Sequence, residues 1–136
     1  MKLGDLIRLL EPFKNENKCV MLIRLLEPFK KNEINYTTCT NIEFMSYRGD
    51  YSDLAIDFSF ESKNGNEHIT SKFLYNKLLQ VRNTNLRGYT GGEFVMDDEV
   101  NVYVDKYGYC SGRLIIGVGL SYGNIDIITY RQNKYD

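Results

Sequence analysis

Large apolar residues recur at every second position along two segments in the last third of the chain, Val100–Val104 and Leu114–Leu120. A period of two is typical of a strand with one buried face. In the second segment, every other residue is expected on that face: Leu114, Ile116, Val118 and Leu120. The opposite face is expected to carry Ile115, Gly117 and Gly119, and the bare backbone of the two glycines indicates close approach by a helix or ring of the same chain, or by a ligand.

Three more segments have strand patterns. Residues 41–47 are weakly patterned, whereas residues 54–60 alternate cleanly between apolar and polar side chains. Residues 125–129 predict a last strand, and the turn before it is expected at Gly123-Asn124.

A helical period appears twice. Near the start, apolar residues recur at helical spacing until Pro12, which should end that helix near Glu11. A second helix is predicted to begin at a cap supplied by Thr70 or Ser71 and to bury one apolar stripe. That stripe consists of Phe73, Leu74, Leu78 and Val81.

The chain repeats nine residues, LIRLLEPFK, at 6–14 and again at 22–30. Nine identities at one offset indicate a segmental duplication, and two copies are too few for a solenoid. A helix is the preferred prediction for both copies. The apolar run Cys19–Ile23 leaves a buried strand open for the second copy. If residues 15–30 are an insertion, a chain without them should keep its fold.

These elements predict an α+β fold in a single domain spanning residues 1–136. Residues 1–30 should form an N-terminal helical segment. Residues 41–131 should contain a mainly antiparallel sheet of five or six strands with one helix packed on it.

Composition narrows the class of protein. The net charge is −1 from 17 basic and 18 acidic residues, so direct DNA binding is not expected. Three cysteines without a CxxC pair support neither a zinc site nor a redox motif. No segment has the length of a membrane span or the features of a signal peptide, so a cytoplasmic location is expected. We expect no cofactor, no metal and no membrane association.

No group of residues suggests catalysis. Asp97-Asp98-Glu99 reads as a solvated acidic turn, because side chains of consecutive residues on a strand point to alternate sides. His68 is expected at the surface without a nucleophile beside it, and Cys110 is expected to be inert. The protein is therefore predicted to bind rather than to catalyse.

The candidate ligand site combines a cation, tyrosine rings and backbone donors. Arg48 offers a planar fork that suits a phosphate or carboxylate, and the glycine-rich run Gly88–Glu93 could turn backbone N–H groups toward an anion. The alternative for the glycine run is a strained turn. The proposed ligand-binding residues are Tyr47, Arg48, Tyr51, Tyr89, Thr90, Gly91, Gly92, Tyr107 and Ser111.

Three stretches carry a resemblance to a known group of proteins: SYRGDYSDLAI, GYTGGEFVMDD and YGYCSGRLIIGV. With the short helices that precede them, they resemble small accessory proteins of tailed phages and prophages. The resemblance covers roughly residues 44–119 and departs at the duplicated segment. It implies a phage origin and action in the host cytoplasm, where such proteins often block host defences.

Two functions follow as expectations. In the first, the protein counters host defence by holding a small anionic or nucleotide-like ligand. In the second, it inhibits a host defence protein or nucleic-acid enzyme through a protein–protein contact and takes no small ligand. Whether it forms a homo-oligomer stays open at this point.

Overall fold

A computed structural model describes residues 1–25, 34–48, 53–59, 67–88, 91–105 and 112–131. The chain begins with helix α1 (Leu3–Leu10) and a 3-10 turn (Glu11–Phe13), and a second helix, α2, spans Ser71–Val81. The strands are β1 (Val20–Leu25), β2 (Ile34–Thr38), β3 (Asn41–Arg48), β4 (Asp53–Ser59), β5 (Asn85–Arg87), β6 (Glu93–Val95), β7 (Val102–Asp105), β8 (Arg113–Ser121) and β9 (Asn124–Arg131).

Seven of these strands form one mixed sheet in the order β2-β1-β9-β8-β7-β4-β3. The pairs β1/β9 and β4/β7 are parallel, and the other four pairs are antiparallel. Strands β5 and β6 form a separate two-stranded hairpin. The α+β class is confirmed. The expected sheet of five or six mainly antiparallel strands is imprecise, because the sheet has seven strands and two of its strand pairs are parallel.

Both helices bury an apolar stripe in the same core as the large sheet. Helix α1 contributes Leu3, Leu6 and Leu10, which are at most 1% exposed. Helix α2 begins where Thr70 Oγ1 accepts a hydrogen bond from Phe73 N at 3.1 Å, as predicted for an N-cap. The sheet side of the core is built from Val20, Leu22, Leu54, Ile56, Val102, Val104, Ile125 and Ile127. No helix in the described parts of the chain is long and apolar enough to cross a membrane.

The duplicated segment adopts two different structures. Its first copy continues α1, whereas Leu22–Leu25 of the second copy lie in β1, so the helix predicted for that copy is wrong. Strand β1 pairs with β9 on one side and β2 on the other. The preceding Cys19-Val20-Met21 run favours extension, and tertiary pairing overrides the weak helical preference. Residues 26–30 lie outside the described part of the chain.

A β-bulge changes which residues of β8 face the core. Ile115 pairs with Thr129, but Gly117 pairs with Ile128, so one extra residue lies between them. Ile115 is 1% exposed, while Leu120 is 60% exposed. The predicted apolar face through Leu114, Ile116, Val118 and Leu120 is right for Val118, which packs against the core. It is wrong before the bulge, where Ile115 is buried instead, because the extra residue shifts the alternation by one.

The β8–β9 turn is centred one residue earlier than predicted. Tyr122 and Gly123 have φ values of 50° and 80°, the left-handed pair required by a type I′ hairpin turn. Glycine adopts that conformation freely, but tyrosine does so at a cost. The Tyr122 ring is fully exposed and packs on nothing.

Replacing Tyr122 with asparagine is expected to raise the free energy of unfolding by about 0.5–1 kcal/mol. Asparagine is favoured at this turn position, and no buried ring is lost. Urea denaturation measures the change, with Tyr122→Phe as the control that keeps the backbone cost. Equal midpoints for the two variants would contradict the assignment of the strain to Tyr122.

Candidate functional site

The ring of Tyr47 lies directly under the glycine-rich turn that joins β5 to β6. A Cβ added at Gly88 would be only 2.3 Å from Tyr47 Cζ, and one added at Gly92 would be 2.8 Å from Tyr47 Oη. Only glycine fits at these two positions while the ring stays in place. The edge of the Phe94 ring also meets Tyr47, with centroids 4.9 Å apart and an interplanar angle of 75°, a favourable aromatic geometry.

The turn itself is closed by its own backbone. Gly88 N donates to Gly92 O at 3.2 Å, and Gly91 N donates to Gly88 O at 3.1 Å. Gly91 has a φ of 83° and is exposed. The Gly91 N–H, expected to be free for an anion, is therefore already used within the turn.

The predicted site residues are partly brought together. Tyr47 lies against Gly92, so the end of β3 and the glycine turn are neighbours, although the sequence separates them by about forty residues. Tyr47 is only 3% exposed, so its ring is not an open stacking surface. The Arg48 backbone pairs with Asp53 at the end of β3. Tyr51, Tyr89, Thr90, Tyr107 and Ser111 lie outside the described residues.

An open cleft of about 260 Å³ lies between β3, the end of α2 and β5. We call it the β3–α2 cleft. Its lining combines apolar and polar side chains, namely Ile42, Glu43, Met45, Lys77, Gln80, Val81, Thr84 and Leu86. Its volume is slightly below the range of about 300–1,000 Å³ typical of small-molecule sites. It is thus large enough for one ring system rather than for a dinucleotide.

Opposite charges line the cleft. Lys77 Nζ lies 5.4 Å from the centroid of the Phe73 ring, a distance at which a cation is attracted to the ring face. Glu43 on β3 is exposed and supplies a carboxylate. Lys77 could pair with an anionic group, and Glu43 could accept hydrogen bonds from N–H groups of the same ligand.

The sequence pattern did not single out any residue of this cleft as part of a ligand site, and it predicted Val81 only as a member of the apolar stripe of α2. Met45 lies two residues before Tyr47 on β3, and Leu86 lies two residues before Gly88 on β5. Side chains two residues apart on a strand share a face, so the residues that line the cleft are next to those that form the contact between Tyr47 and the turn. That relation becomes visible only once β3 is known to lie beside the hairpin.

The acidic turn is held by ion pairs and does not converge on a metal site. Arg82 makes two contacts of 2.8 Å with the Asp98 carboxylate, one from Nη2 and one from Nε. Lys2 pairs with Glu99, and Asp97 Oδ1 accepts a hydrogen bond from Glu99 N at 2.9 Å. In the described ranges, no three metal-ligating side chains gather at one point.

The other candidate nucleophiles and bases give no catalytic arrangement in the part of the chain that is described. His68 is exposed, as predicted. Burial raises the pKa of the Cys39 thiol to about 12, so this thiol stays protonated and is a poor nucleophile. Partial burial also raises the pKa of Cys19. Cys110 lies outside the described residues.

Comparisons with protein-family models, with curated proteins and with solved structures give no match for this chain. A functional proposal therefore depends on the geometry of the site and on the residue pattern.

Proposed function

We propose that this protein is a phage-type accessory protein that counters host defence by binding a small anionic or nucleotide-like ligand. The observation that carries the proposal is the packing of Tyr47 beneath Gly88 and Gly92. Arg48, the next residue along β3, is included in the proposed site because of its chemistry, as the sequence predicts. The β3–α2 cleft begins two residues away from the packing of Tyr47 on both β3 and β5.

The chemistry of the cleft suits one base with an attached anion. Ile42, Val81 and Leu86 offer apolar contact to a ring, while Lys77 supplies a positive charge. Charge-assisted hydrogen bonds to phosphate are roughly twice as strong as neutral ones. Arg48, Tyr51, Tyr89, Thr90, Tyr107 and Ser111 stay predicted ligand-binding residues from the sequence, and none of them is among the lining residues of the cleft.

Removing the Lys77 charge is expected to weaken ligand binding by about tenfold to a hundredfold, the effect of losing a hydrogen bond to a charged group. The measurement is equilibrium dialysis of the full chain against the four ribonucleoside monophosphates and inorganic phosphate. Lys77→Gln keeps the length of the side chain. Lys72→Gln is the matched control, because Lys72 is exposed elsewhere on the same helix.

The proposal fails if no nucleotide is retained, or if Lys77→Gln and Lys72→Gln bind equally. If inorganic phosphate binds as tightly as the nucleotides do, the ligand class is a simple anion and not a nucleotide. Phage plating on hosts that express the protein tests the anti-defence role, which rests on the resemblance alone.

A second candidate function, inhibition of a host protein, is favoured by the surface of the hairpin. Phe94 and Val95 are 41% and 51% exposed on β6, and exposed apolar side chains of this size are what a contiguous patch at a protein contact would include. Val95→Glu should then abolish protection of the phage while nucleotide binding is unchanged. Protection lost with Lys77→Gln but kept with Val95→Glu would favour the ligand instead.

A further inference from the structure

The sheet face turned away from the helices has a strip without side chains. Gly117 and Gly119 lie two residues apart on β8, opposite Ile128 and Asp126 of β9. The nearest atom to a Cβ added at either glycine is Ile128 Cδ1, at 3.7 Å and 3.6 Å. Among the described residues, no helix and no aromatic ring comes within 4 Å of either Cβ position.

A buried carboxylate lies beside the strip. Asp126 is 5% exposed, and its Oδ1 has no hydrogen-bond partner. Its Cβ is 3.9 Å from the position of a Cβ at Gly119. Strand β1 borders the other side of Asp126 through Met21. Since side chains alternate along β9 and Ile125 and Ile127 enter the core, Asp126 faces the glycine strip.

A buried carboxylate oxygen without a hydrogen-bond partner, such as Asp126 Oδ1, is unfavourable, because it loses its hydration without gaining a donor. Buried polar groups in folded proteins are almost always hydrogen-bonded. The bare strip and the unpaired acceptor are independent features of two neighbouring strands, and both are explained if a ligand occupies this position. We propose that Asp126 and the Gly117–Gly119 strip bind a planar N–H-bearing cation of the amidine or guanidine type.

The chemical class follows from the acceptor and from the surface around it. A carboxylate is matched best by two parallel N–H donors held in a planar fork. Peptide backbone without side chains lets a flat group approach closely, and Ile128 and Met21 offer apolar flanks. A metal ion would need further ligands, and the described residues provide no group of three.

This site is separate from the β3–α2 cleft. Strands β7 and β4 lie between β8 and β3 in the sheet, and the glycine strip is on the face opposite the core. The result of a binding test here is therefore independent of the function proposed above.

Benzamidine is the probe, and benzamide is its neutral match. Titration of the full chain by amide-resolved NMR should show saturable shifts of the Gly117 and Gly119 amides with benzamidine, with a dissociation constant of about 1 mM or tighter, in keeping with small-ligand efficiencies. Benzamide should leave these amides unshifted. Titration with N-acetyl-arginine amide shows whether the natural ligand is an arginine side chain of another protein or a free small cation. Tighter binding than that of benzamidine indicates the arginine side chain, and weaker binding indicates the free cation.

Two variants test the site without disturbing the fold. Asp126→Asn keeps the shape of the side chain and should weaken benzamidine binding at least tenfold. Gly119→Ala should also weaken benzamidine binding at least tenfold, because its methyl group would keep a flat ligand away from the backbone. The strand tolerates this change because the added Cβ meets its neighbours at ordinary contact distance. Asp97→Asn is the control for Asp126→Asn, because Asp97 is an exposed carboxylate. Ser121→Ala is the control for Gly119→Ala, because Ser121 is a nearby position on β8. Both controls should bind benzamidine as the parent does.

The proposal is overturned if the glycine amides do not respond to benzamidine, or if Asp126→Asn binds it as tightly as the parent. It is also overturned if Gly119→Ala, shown by its NMR spectrum to be folded, binds with unchanged affinity.

Discussion

A chain that lacks residues 15–30 is expected to lose cooperative folding. This reverses the expectation that the second LIRLLEPFK copy is a tolerated insertion. The deleted segment contains β1, which lies inside the sheet between β2 and β9. Its removal would leave the β9 edge unpaired and detach β2 from the sheet.

The magnitude of the loss follows from burial. Four β1 side chains are at most 7% exposed: Val20, Leu22, Ile23 and Leu25. Burying each contributes about 1.5–3 kcal/mol, so together they contribute about 6–12 kcal/mol, which is comparable to the total stability of a typical domain, about 5–15 kcal/mol.

Buried polar groups would also lose their partners. Arg113 Nη2 donates to Leu25 O at 2.7 Å, and Thr129 Oγ1 donates to Ile23 O at 2.9 Å. Both side chains are at most 5% exposed, so leaving them without these acceptors adds to the cost.

The duplication makes this deletion unusual. Because the two copies are identical, deleting residues 15–30 gives the same amino-acid sequence as deleting residues 6–21. The single remaining copy would have to serve as the end of α1 or as β1, and the native fold needs both. In either case the buried side chains of the other copy are lost from the protein interior.

Circular dichroism and urea denaturation of the shortened chain test this expectation. Leu9 and Leu25 occupy the same position of the repeat and form a matched pair, with exposures of 45% and 7%. Leu25→Ala should cost about 2–5 kcal/mol, whereas Leu9→Ala should cost less than about 1 kcal/mol. A shortened chain with the parent's cooperative transition would show that β1 is dispensable.

The elements that could be predicted from sequence are those specified by their own residues. The Thr70 cap and the apolar stripe of α2 are local signals, and both were correct. The second copy could not be assigned in this way, because the same four residues, LIRL, form a helix at 6–9 and a strand at 22–25. The bulge in β8 shifted the buried face without leaving a recognisable pattern.

The candidate site was predictable only in outline. Tyr47, Gly91 and Gly92 were chosen for their chemistry, and the structure places Tyr47 against Gly92. The β3–α2 cleft was missed because Met45, Lys77 and Leu86 come from three elements whose proximity is set by packing. Burial of Tyr47 also depends on Phe94 and on the hairpin, which no periodicity in the chain indicates.

Gly88→Ala is expected to destabilise the protein by about 3 kcal/mol or more. The added Cβ would lie 2.3–2.7 Å from three ring carbons of Tyr47, well inside van der Waals contact. Overpacking of a core typically costs about 1–3 kcal/mol. Because the Tyr47 ring is buried and has little room to move, we expect a cost at the upper end of this range or above it. The free energy of unfolding in urea measures the effect.

Gly91→Ala is the matched control within the same turn. A Cβ there meets nothing within 4 Å, and the cost comes only from the positive φ of 83°. The expected loss is about 1 kcal/mol. The difference between the two alanine variants therefore isolates the clash with Tyr47 from the conformational preference of glycine.

A double-mutant cycle identifies Tyr47 as the cause. Tyr47→Ala alone should cost about 3–5 kcal/mol, as expected for a buried aromatic residue, but it removes the ring that the new methyl group would meet. Gly88→Ala should then add little in the Tyr47→Ala background, giving a coupling energy of about 3 kcal/mol, the upper end of the usual range. Additive losses, or a Gly88→Ala variant as stable as Gly91→Ala, would mean that the ring does not lie beneath the turn. The proposed ligand site would then lose the contact that joins β3 to the hairpin.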